Sequence, residues 1–436
     1  MEINQYTSPF SNRYGTNEMR SVWSEKNRRI LWHKAWLEAA SLQFDIPKQG
    51  AQGAGFYDEK QYAAALEEEK HTKHDLVAER NTFSKSLPKS IADYIHVGLT
   101  SSDIEDYADE QMIKESISLL NIQVRTLINS LAKISDRFGE YVILGRTHLQ
   151  EAEPTLLGYR FLWYLSEIDN SEISRLWVHS KGMHGAVGTN ANLDLIGSPT
   201  FEELFILRSP VFQTYPRQQD LRVCGVLSQL ASVLHKMAFD IRIMAMEGML
   251  EEVKSKEQYG SSAMPGKNNP IKAEKICGLA RLFPGYYQSL WQCAANSLLE
   301  RTLDDSSLRR VVLPEMFLCM SELLDTSDKL INSLHVVYSE LASRNGVLHE
   351  WKAWLPSRVL AIVRSNGKSY QSVYPVIEDT AITCATAEEY LECLWSDKRI
   401  ADTKNPTSTK AEVYLGLDAL VDFVKKESKR WIEKSQ

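Results

Sequence analysis

The segment Gly260-Ser261-Ser262-Ala263-Met264-Pro265-Gly266-Lys267-Asn268-Asn269-Pro270 sets two serines, a lysine and two asparagines between glycines and prolines. Glycine and proline interrupt helices and strands alike, so a bounded loop is expected. A nucleophile or base, a cation and several amide donors suit a site that holds an anion while a proton moves. A second candidate is His148 in Arg146-Thr147-His148-Leu149-Gln150, followed by Glu151-Ala152-Glu153-Pro154-Thr155, where a new helix should begin. Imidazole titrates near neutrality and can give or take a proton. A lone histidine is more often structural, but Thr147 and Gln150 beside it at a helix entrance tilt the reading toward function.

Other segments carry charge in suggestive patterns. His71-Thr72-Lys73-His74-Asp75 spaces two histidines by three, which could set both on one helical face. A metal site would need further ligands, and the sequence offers no cluster to supply them. Thr100 and Ser101, in Gly98-Leu99-Thr100-Ser101-Ser102-Asp103, stand at the expected start of a long helix. Capping accounts for them in part, and the same geometry binds a carboxylate or phosphate. Glu300-Arg301-Thr302-Leu303-Asp304-Asp305-Ser306-Ser307-Leu308-Arg309-Arg310 reads either as a solvated turn or as a planar cationic grip on an anion.

Taken in order along nearly the whole chain, these segments resemble the fumarase/aspartase superfamily, whose members eliminate fumarate from succinyl compounds. Within it, Arg301 to Ser306 with the paired arginines that follow is similar to the adenylosuccinate lyase family. The loop at 260–270 matches the superfamily's signature loop, and Arg146 to Gln150 its second signature region. The resemblance implies Ser261 as base, His148 as general acid, and His74 as a substrate contact assisting the catalytic histidine. It further implies substrate contacts at Arg13, Tyr14, Lys73, Asp75, Thr100, Ser101, Gln213, Ser262, Lys267, Asn269, Lys275, Arg301, Ser306 and Arg310. No cofactor or metal is implied. The expected partner is a small succinyl nucleotide, and the expected assembly is a homotetramer with sites shared between subunits. Gly266 stands where many adenylosuccinate lyases have His or Tyr, and Asn268 where they have a basic residue. Lys73 and Lys275 replace a common arginine, keeping charge without the bidentate fork.

The elements that must position these groups are helical. Ile113, Ile117, Leu120, Val124, Leu127, Leu131 and Ile134 alternate steps of four and three, as do Val223, Leu227, Leu230, Leu234, Met237, Ile241 and Met244. Each is the stripe of a long helix packed along its neighbours. Ser102 and Glu105 fit a capping box for the first. Further helices are expected near 154–180, 271–297 and 307–340, the last with Pro314 near its first turns. The fold class is all-α and fumarase/aspartase-like, with a central long-helix bundle over 100–337. Smaller helical domains are expected over 1–99, interrupted by a Gly-rich break at 49–55, and over 338–436.

A net charge of −7 argues against a nucleic-acid partner, which would need a basic footprint. The polar N-terminus and the absence of a long apolar run argue against a signal sequence and a membrane span, so a cytoplasmic location is expected. The six cysteines show no C-x-x-C spacing and read as reduced core thiols. Three rivals carry less. A P-loop fails because five residues separate Gly260 from Gly266, Asn268 replaces the Mg-binding hydroxyl, and no strand precedes. A non-catalytic helical scaffold fits poorly with the presence of Ser261 and His148. Argininosuccinate lyases and carboxymuconate-cyclising enzymes share the loop but not the Arg301–Arg310 pattern.

Overall fold

The computed structural model describes residues 4–44, 57–179, 181–197, 210–254, 263–264, 266–337, 343–403 and 408–434. Ser261, Ser262 and the Gly-rich stretch 49–55 lie outside the described residues. Three long helices dominate, Ser101–Arg137, Gln218–Met246 and Asp304–Ser333. Every residue of the two apolar stripes named above is buried, as the 3.6-residue period requires. Burying each such side chain contributes about 1.5–3 kcal/mol. Pro314 sits well inside the third helix, beyond its first turns.

The chain divides into two compact units, residues 1–124, 171–234 and 278–325 against residues 125–170, 235–277 and 326–436. In the first unit, Trp32 and Trp36 of the helix Glu25–Phe44 are almost fully buried. Trp23 stacks on Phe317 at 5.5 Å and donates its indole N–H to Ser116 Oγ at 2.9 Å. The helix Glu59–Thr72 starts in a reciprocal cap, with Asp58 Oδ1 accepting from the Gln61 amide and Gln61 Oε1 from the Asp58 amide. It ends at Lys73, whose φ of 55° turns the chain sharply into the helix Asp75–Lys85. His71 and His74 therefore belong to different elements and share no helical face.

The second unit contains both small sheets. Strand β1, Val142–Thr147, pairs antiparallel with β2, Gln150–Leu156, and β3, Leu250–Glu252, pairs antiparallel with β4, Leu334–Val336. The expected helix from 154 is thus displaced: the chain stays extended to Leu156 and the helix runs Leu157–Asp169. Along β1, Val142, Ile143 and Leu144 are buried, so burial against the unit's core wins over helical propensity. The stretch 271–297 is two helices, Ile271–Ala280 and, wholly within the first unit, Phe283–Ala295, broken where Pro284 enters the latter. The C-terminal part is a set of short helices ending in Asp418–Lys434, whose buried Val424, Ser428 and Trp431 recur every three to four residues and pack on Leu157–Asp169.

Cys224, Cys277, Cys293, Cys319 and Cys384 are buried free thiols, and Cys393 is exposed. Among the described residues no helix is long and apolar enough to cross a membrane.

Candidate active site

In the first unit, an open cleft of about 570 Å³ forms where three pieces of chain converge. The corner at Lys73, His74 and Asp75 supplies one wall. The first turns of the helix Ser101–Arg137 supply Ser101 and Glu105, the segment leading into Asp304–Ser333 supplies Arg301, and the first turns of that helix supply Ser306 and Arg310. His74 Nε2 lies 3.5 Å from Ser101 Oγ, and its Nδ1 lies 3.4 Å from Asp75 Oδ1. The other oxygen of Asp75 accepts from Arg310 Nη2 at 2.5 Å. Burial pushes the Asp75 carboxyl up, but Arg310 and the Leu76 amide outweigh it and hold it below the ordinary value. Arg310 is half exposed and can turn to a ligand.

The helix start differs from the Ser102–Glu105 capping box. Asp103 reaches back, its Oδ2 accepting from the Thr100 amide at 2.7 Å. That leaves Ser102 Oγ to accept from Arg301 Nη1 at 2.5 Å and leaves Glu105 facing the cleft. Arg301 also donates to Gln213 Oε1 at 3.5 Å, while its Nε and Nη2 both reach Asp305 Oδ1 at 3.3 Å.

Beneath this wall lies a buried lattice of charge. Asp305 Oδ2 accepts from Arg217 at 2.7 Å, and Arg217 Nη1 meets Asp106 at 3.1 Å. Arg309 meets Asp220 at 2.7 Å and Asp109 at 2.9 Å, and it also contacts the hydroxyl of Tyr215. Arg28 reaches Asp109 at 3.4 Å. Arginines 28, 217, 301 and 309 thus face aspartates 106, 109, 220 and 305, four against four. Paired buried charges of this kind hold each other's geometry, because breaking one pair strands the other partner. The lattice fixes Arg301 before any ligand arrives.

His96 is a residue that sequence reasoning missed. Its backbone is left-handed, with φ of 70°, an uncommon state for a side chain bearing Cβ. Trp36 Nε1 donates to His96 Nδ1 at 3.0 Å, which assigns the ring proton to Nε2. Burial, with the charges of Arg80 and His74, pushes this imidazole down to about 4, so it is neutral near pH 7. The available signal was its place two residues before the glycine that leads into the Thr100 cap.

His148 belongs to the second unit and stands at the tip of the β1–β2 hairpin instead of a helix entrance. Thr147 pairs with Gln150, so His148 and Leu149 form a two-residue turn, and both are left-handed, with φ of 54° and 61°. That is the geometry a tight hairpin favours, although Asn and Gly normally occupy it. The hairpin also carries a bulge, since Leu144 pairs with Pro154 but Arg146 with Glu151. Gly145 sits opposite the extra residue, and a Cβ there would lie 2.9 Å from the Glu153 carbonyl oxygen. Arg146 anchors the tip through Glu247 at 3.0 Å and Glu151 at 3.3 Å. His148 and Leu149 are both exposed, and the imidazole bonds to none of the described residues.

The stems of the signature loop are tied in this unit too. Lys254 Nζ donates to the Lys267 carbonyl at 2.9 Å, and Asn268 Nδ2 donates to the Glu252 carbonyl at 3.1 Å. Asn268 therefore serves as a stem clamp in place of a basic residue. Gly266 has φ of +88°, and a Cβ there would meet open space, so backbone conformation and not crowding suits glycine. Lys267 is exposed, the Asn269 carbonyl accepts from the Ile271 amide, and Lys275 lies on the helix that follows.

The first unit thus gathers Lys73, His74, Asp75, Ser101, Arg301, Ser306 and Arg310 into one cleft, with Gln213 beside Arg301 and Thr100 at the helix cap. Arg13 and Tyr14 lie in the same unit, bonded through their amides to the Pro9 carbonyl, and are not among the cleft-lining residues.

Residues 21–285 match a family model described as lyase. The chain is 34% identical over 367 residues to an adenylosuccinate lyase of Schistosoma mansoni, covering 79% of this chain and 76% of that one. It is 32% identical over 369 residues to an adenylosuccinate lyase of Saccharomyces cerevisiae, with the same coverage of 79% and 76%. Among solved structures, a 3-carboxy-cis,cis-muconate lactonizing enzyme from Pseudomonas putida superposes with a TM-score of 0.77 at 21% identity, over 97% of this chain and 99% of that one. A fumarate lyase from Mesorhizobium superposes with 0.75 at 22%, again over 97% and 99%. At those identities the superpositions establish a shared fold, all-α and fumarase/aspartase-like.

Proposed function

The chain belongs to the adenylosuccinate lyase family, and from that premise we propose that it cleaves a C–N bond by β-elimination, releasing fumarate from adenylosuccinate and leaving AMP. The observation that carries this reading is the convergence of Arg301, Ser306 and Arg310 with Lys73, His74 and Ser101 in one cleft, with Arg301 held by a buried carboxylate. Planar guanidinium groups with a hydroxyl beside them suit a phosphoryl ester. That chemistry favours a succinyl nucleotide over argininosuccinate or a carboxymuconate, neither of which carries phosphate. The succinyl aminoimidazole carboxamide ribonucleotide has the same leaving group and phosphate and is proposed as the second substrate of purine biosynthesis.

In the proposed reaction, Ser261 takes the proton from the carbon next to a carboxylate, and the electron pair left behind spreads into that carboxylate. As the C–N bond breaks, the pair becomes the double bond of fumarate, and His148 gives its proton to the departing nitrogen. Lys267 and Asn269 stabilise the carbanion, and one preorganised donor of this kind is worth about 3–4 kcal/mol. The exposed imidazole at a rigid hairpin tip supports a proton donor that needs a substrate as its partner. His74, braced by Asp75 and facing Ser101, contacts the substrate. Ser262, Thr100, Gln213, Arg13, Tyr14 and Lys275 are further proposed contacts.

We also propose a cytoplasmic homotetramer whose sites draw on several copies of the chain. Exposed apolar residues, Ile122 and Val311 on two of the long helices, Trp291 on Phe283–Ala295 and Leu299 and Leu303 in the segment before Asp304, support a partner surface. Leu149, exposed beside His148, supports a hairpin tip that meets another chain.

Incubation with adenylosuccinate, the imidazole carboxamide analogue and argininosuccinate, with fumarate followed by its absorbance, tests the reading. Release from the first two and not the third is expected. Release from argininosuccinate alone would refute it.

A further inference from the structure

Glu105 is a carboxylate in a place where an anion should bind. It lines both the open cleft and a smaller pocket behind it, formed with Trp23, Arg28, Trp32, Asp109 and Arg309. Among the described residues its ion-pair partner is Arg310, whose Nη2 lies 3.7 Å from Oε1, too far for a hydrogen bond. Arg310 is already engaged at 2.5 Å by Asp75. The charged groups around Glu105 can be followed element by element. From the helix Glu25–Phe44 come Arg28 and, through its effect on Arg310, Glu25. From the corner come Glu69, Lys73, His74 and Asp75, and from its own helix Asp109. From the third side come Arg301, Asp304, Arg309 and Arg310. Along the open cleft the cations Lys73, Arg301 and Arg310 meet the carboxylates Glu69, Asp75, Glu105 and Asp304, three against four. A phosphoryl dianion entering that wall meets net negative charge unless one acid gives up its own.

We propose that Glu105 binds the phosphoryl group of the nucleotide as a carboxylic acid, donating its proton to a phosphate oxygen, so that ligand binding takes up a proton from solvent. The proposal rests on the reading that this cleft receives the phosphate. The carboxylate gains one proton from solvent on binding and returns it on release, and no bond to carbon changes. An O–H donor to an anionic oxygen makes a short, charge-assisted bond, so the acid contributes attraction where the carboxylate would repel. The environment already leans that way. Burial pushes the Glu105 carboxyl up, Arg301 pulls it back, Asp109 and Asp75 add to the rise, and it rests at about 7. The other cleft acid in contact with Arg310, Asp75, is held low and stays ionised.

The test is calorimetric titration of AMP into the full chain between pH 7 and 8.5, where the ligand is already a dianion, in two buffers of different ionisation heat. Wild type is expected to take up about 0.8 proton at pH 7.5, and its Kd should rise about fivefold from pH 7 to 8. Glu105→Gln, of the same shape but permanently neutral, should bind AMP without that uptake and without that fivefold rise. It retains His74, so any share due to that imidazole persists in the variant and is subtracted. Equal proton uptake by wild type and E105Q, or none by wild type, overturns the role of Glu105 while leaving the phosphate cleft standing. Failure of AMP to bind wild type at all overturns both. Should E105Q fail to fold, the buffer dependence of wild type together with Glu105→Asp keeps the question decidable, because the shorter acid must retain the uptake.

Discussion

Replacing Arg310 by alanine probes the cleft most directly, because the structural cost of the change is small. Its side chain is half exposed, and among the described residues its ion pairs are with Asp75 and Glu105. A pair this open to solvent contributes about 0–1 kcal/mol to the fold. The binding cost is larger and has two parts. A charge-assisted bond to the phosphate is lost, about 1.5–3 kcal/mol. In addition, Asp75 loses its counter-ion and faces the ligand bare, which at a separation of several ångströms in a half-open cleft adds about 1 kcal/mol of repulsion. The sum, about 2.5–4 kcal/mol, predicts a rise in the AMP Kd of roughly 70- to 1000-fold at low ionic strength. Adenosine, which lacks the phosphate, should bind R310A as it binds wild type. Adding Asp75→Ala to R310A should return about 1 kcal/mol, since the bare carboxylate is then gone. Calorimetry or equilibrium competition on the four proteins closes the cycle. A change in AMP affinity below twofold, or an equal loss for adenosine, would refute the reasoning and return Arg310 to a solvated turn.

Other outcomes follow from the remaining geometry. His148→Ala should lower kcat by about 10²- to 10⁴-fold with circular dichroism unchanged, and the loss should shrink for an analogue whose leaving nitrogen needs no proton; equal losses on both count against an acid role. Mixing His148→Ala with Ser261→Ala under conditions of subunit exchange should restore up to roughly a quarter of wild-type activity if the two residues of a site come from different chains. Mixed tetramers that demonstrably form and stay inactive exclude shared sites. Glu79 is buried against Arg29 at 2.6 Å, His33 at 2.7 Å and the Tyr57 hydroxyl at 2.9 Å. Burial pushes its carboxyl up, the bonds from His33 and Arg29 outweigh that, and the folded value lies below the ordinary one. A depressed carboxylate stabilises fully above its unfolded value and loses that share as pH falls through the folded one, so the melting temperature should be level above about pH 5 and drop below about pH 4. Glu79→Ala should cost about 3–5 kcal/mol at neutral pH and show a weaker acid dependence. A melting temperature equal to wild type at pH 7 contradicts the pairing.

The parts of this protein legible in its sequence are those written in local period. Both apolar stripes, with their steps of four and three, are buried along their full length. The dense charge of 300–310 announced the cleft because its members are close in sequence. The hairpin of 142–156 was hidden because its strands are short, one holds Pro154, and its turn is His148-Leu149, where a hairpin signal would be Asn-Gly. The helix cap was misassigned because Ser102 and Glu105 fit the capping pattern on paper, while Arg301, almost two hundred residues away, claims Ser102 and leaves the cap to Asp103. For the same reason nothing local announced the buried lattice. Arg217 pairs with Asp106 and Asp305, and Arg309 with Asp109 and Asp220, across separations that no periodicity encodes.

That lattice also constrains how the chain can change over generations. Each arginine in it shares a carboxylate with another, so Asp305 cannot be exchanged without unseating both Arg217 and Arg301. A single neutralising substitution leaves a buried charge without its partner and costs several kcal/mol, a large part of the margin by which a protein stays folded. Passage to a different set of residues therefore requires paired replacements, the second compensating the first. The intermediate sequence between them is the least stable of the series. A substitution at Lys73, which lines the cleft outside the lattice, meets no such barrier, so drift in ligand preference can run through the rim of the cleft while its floor stays fixed.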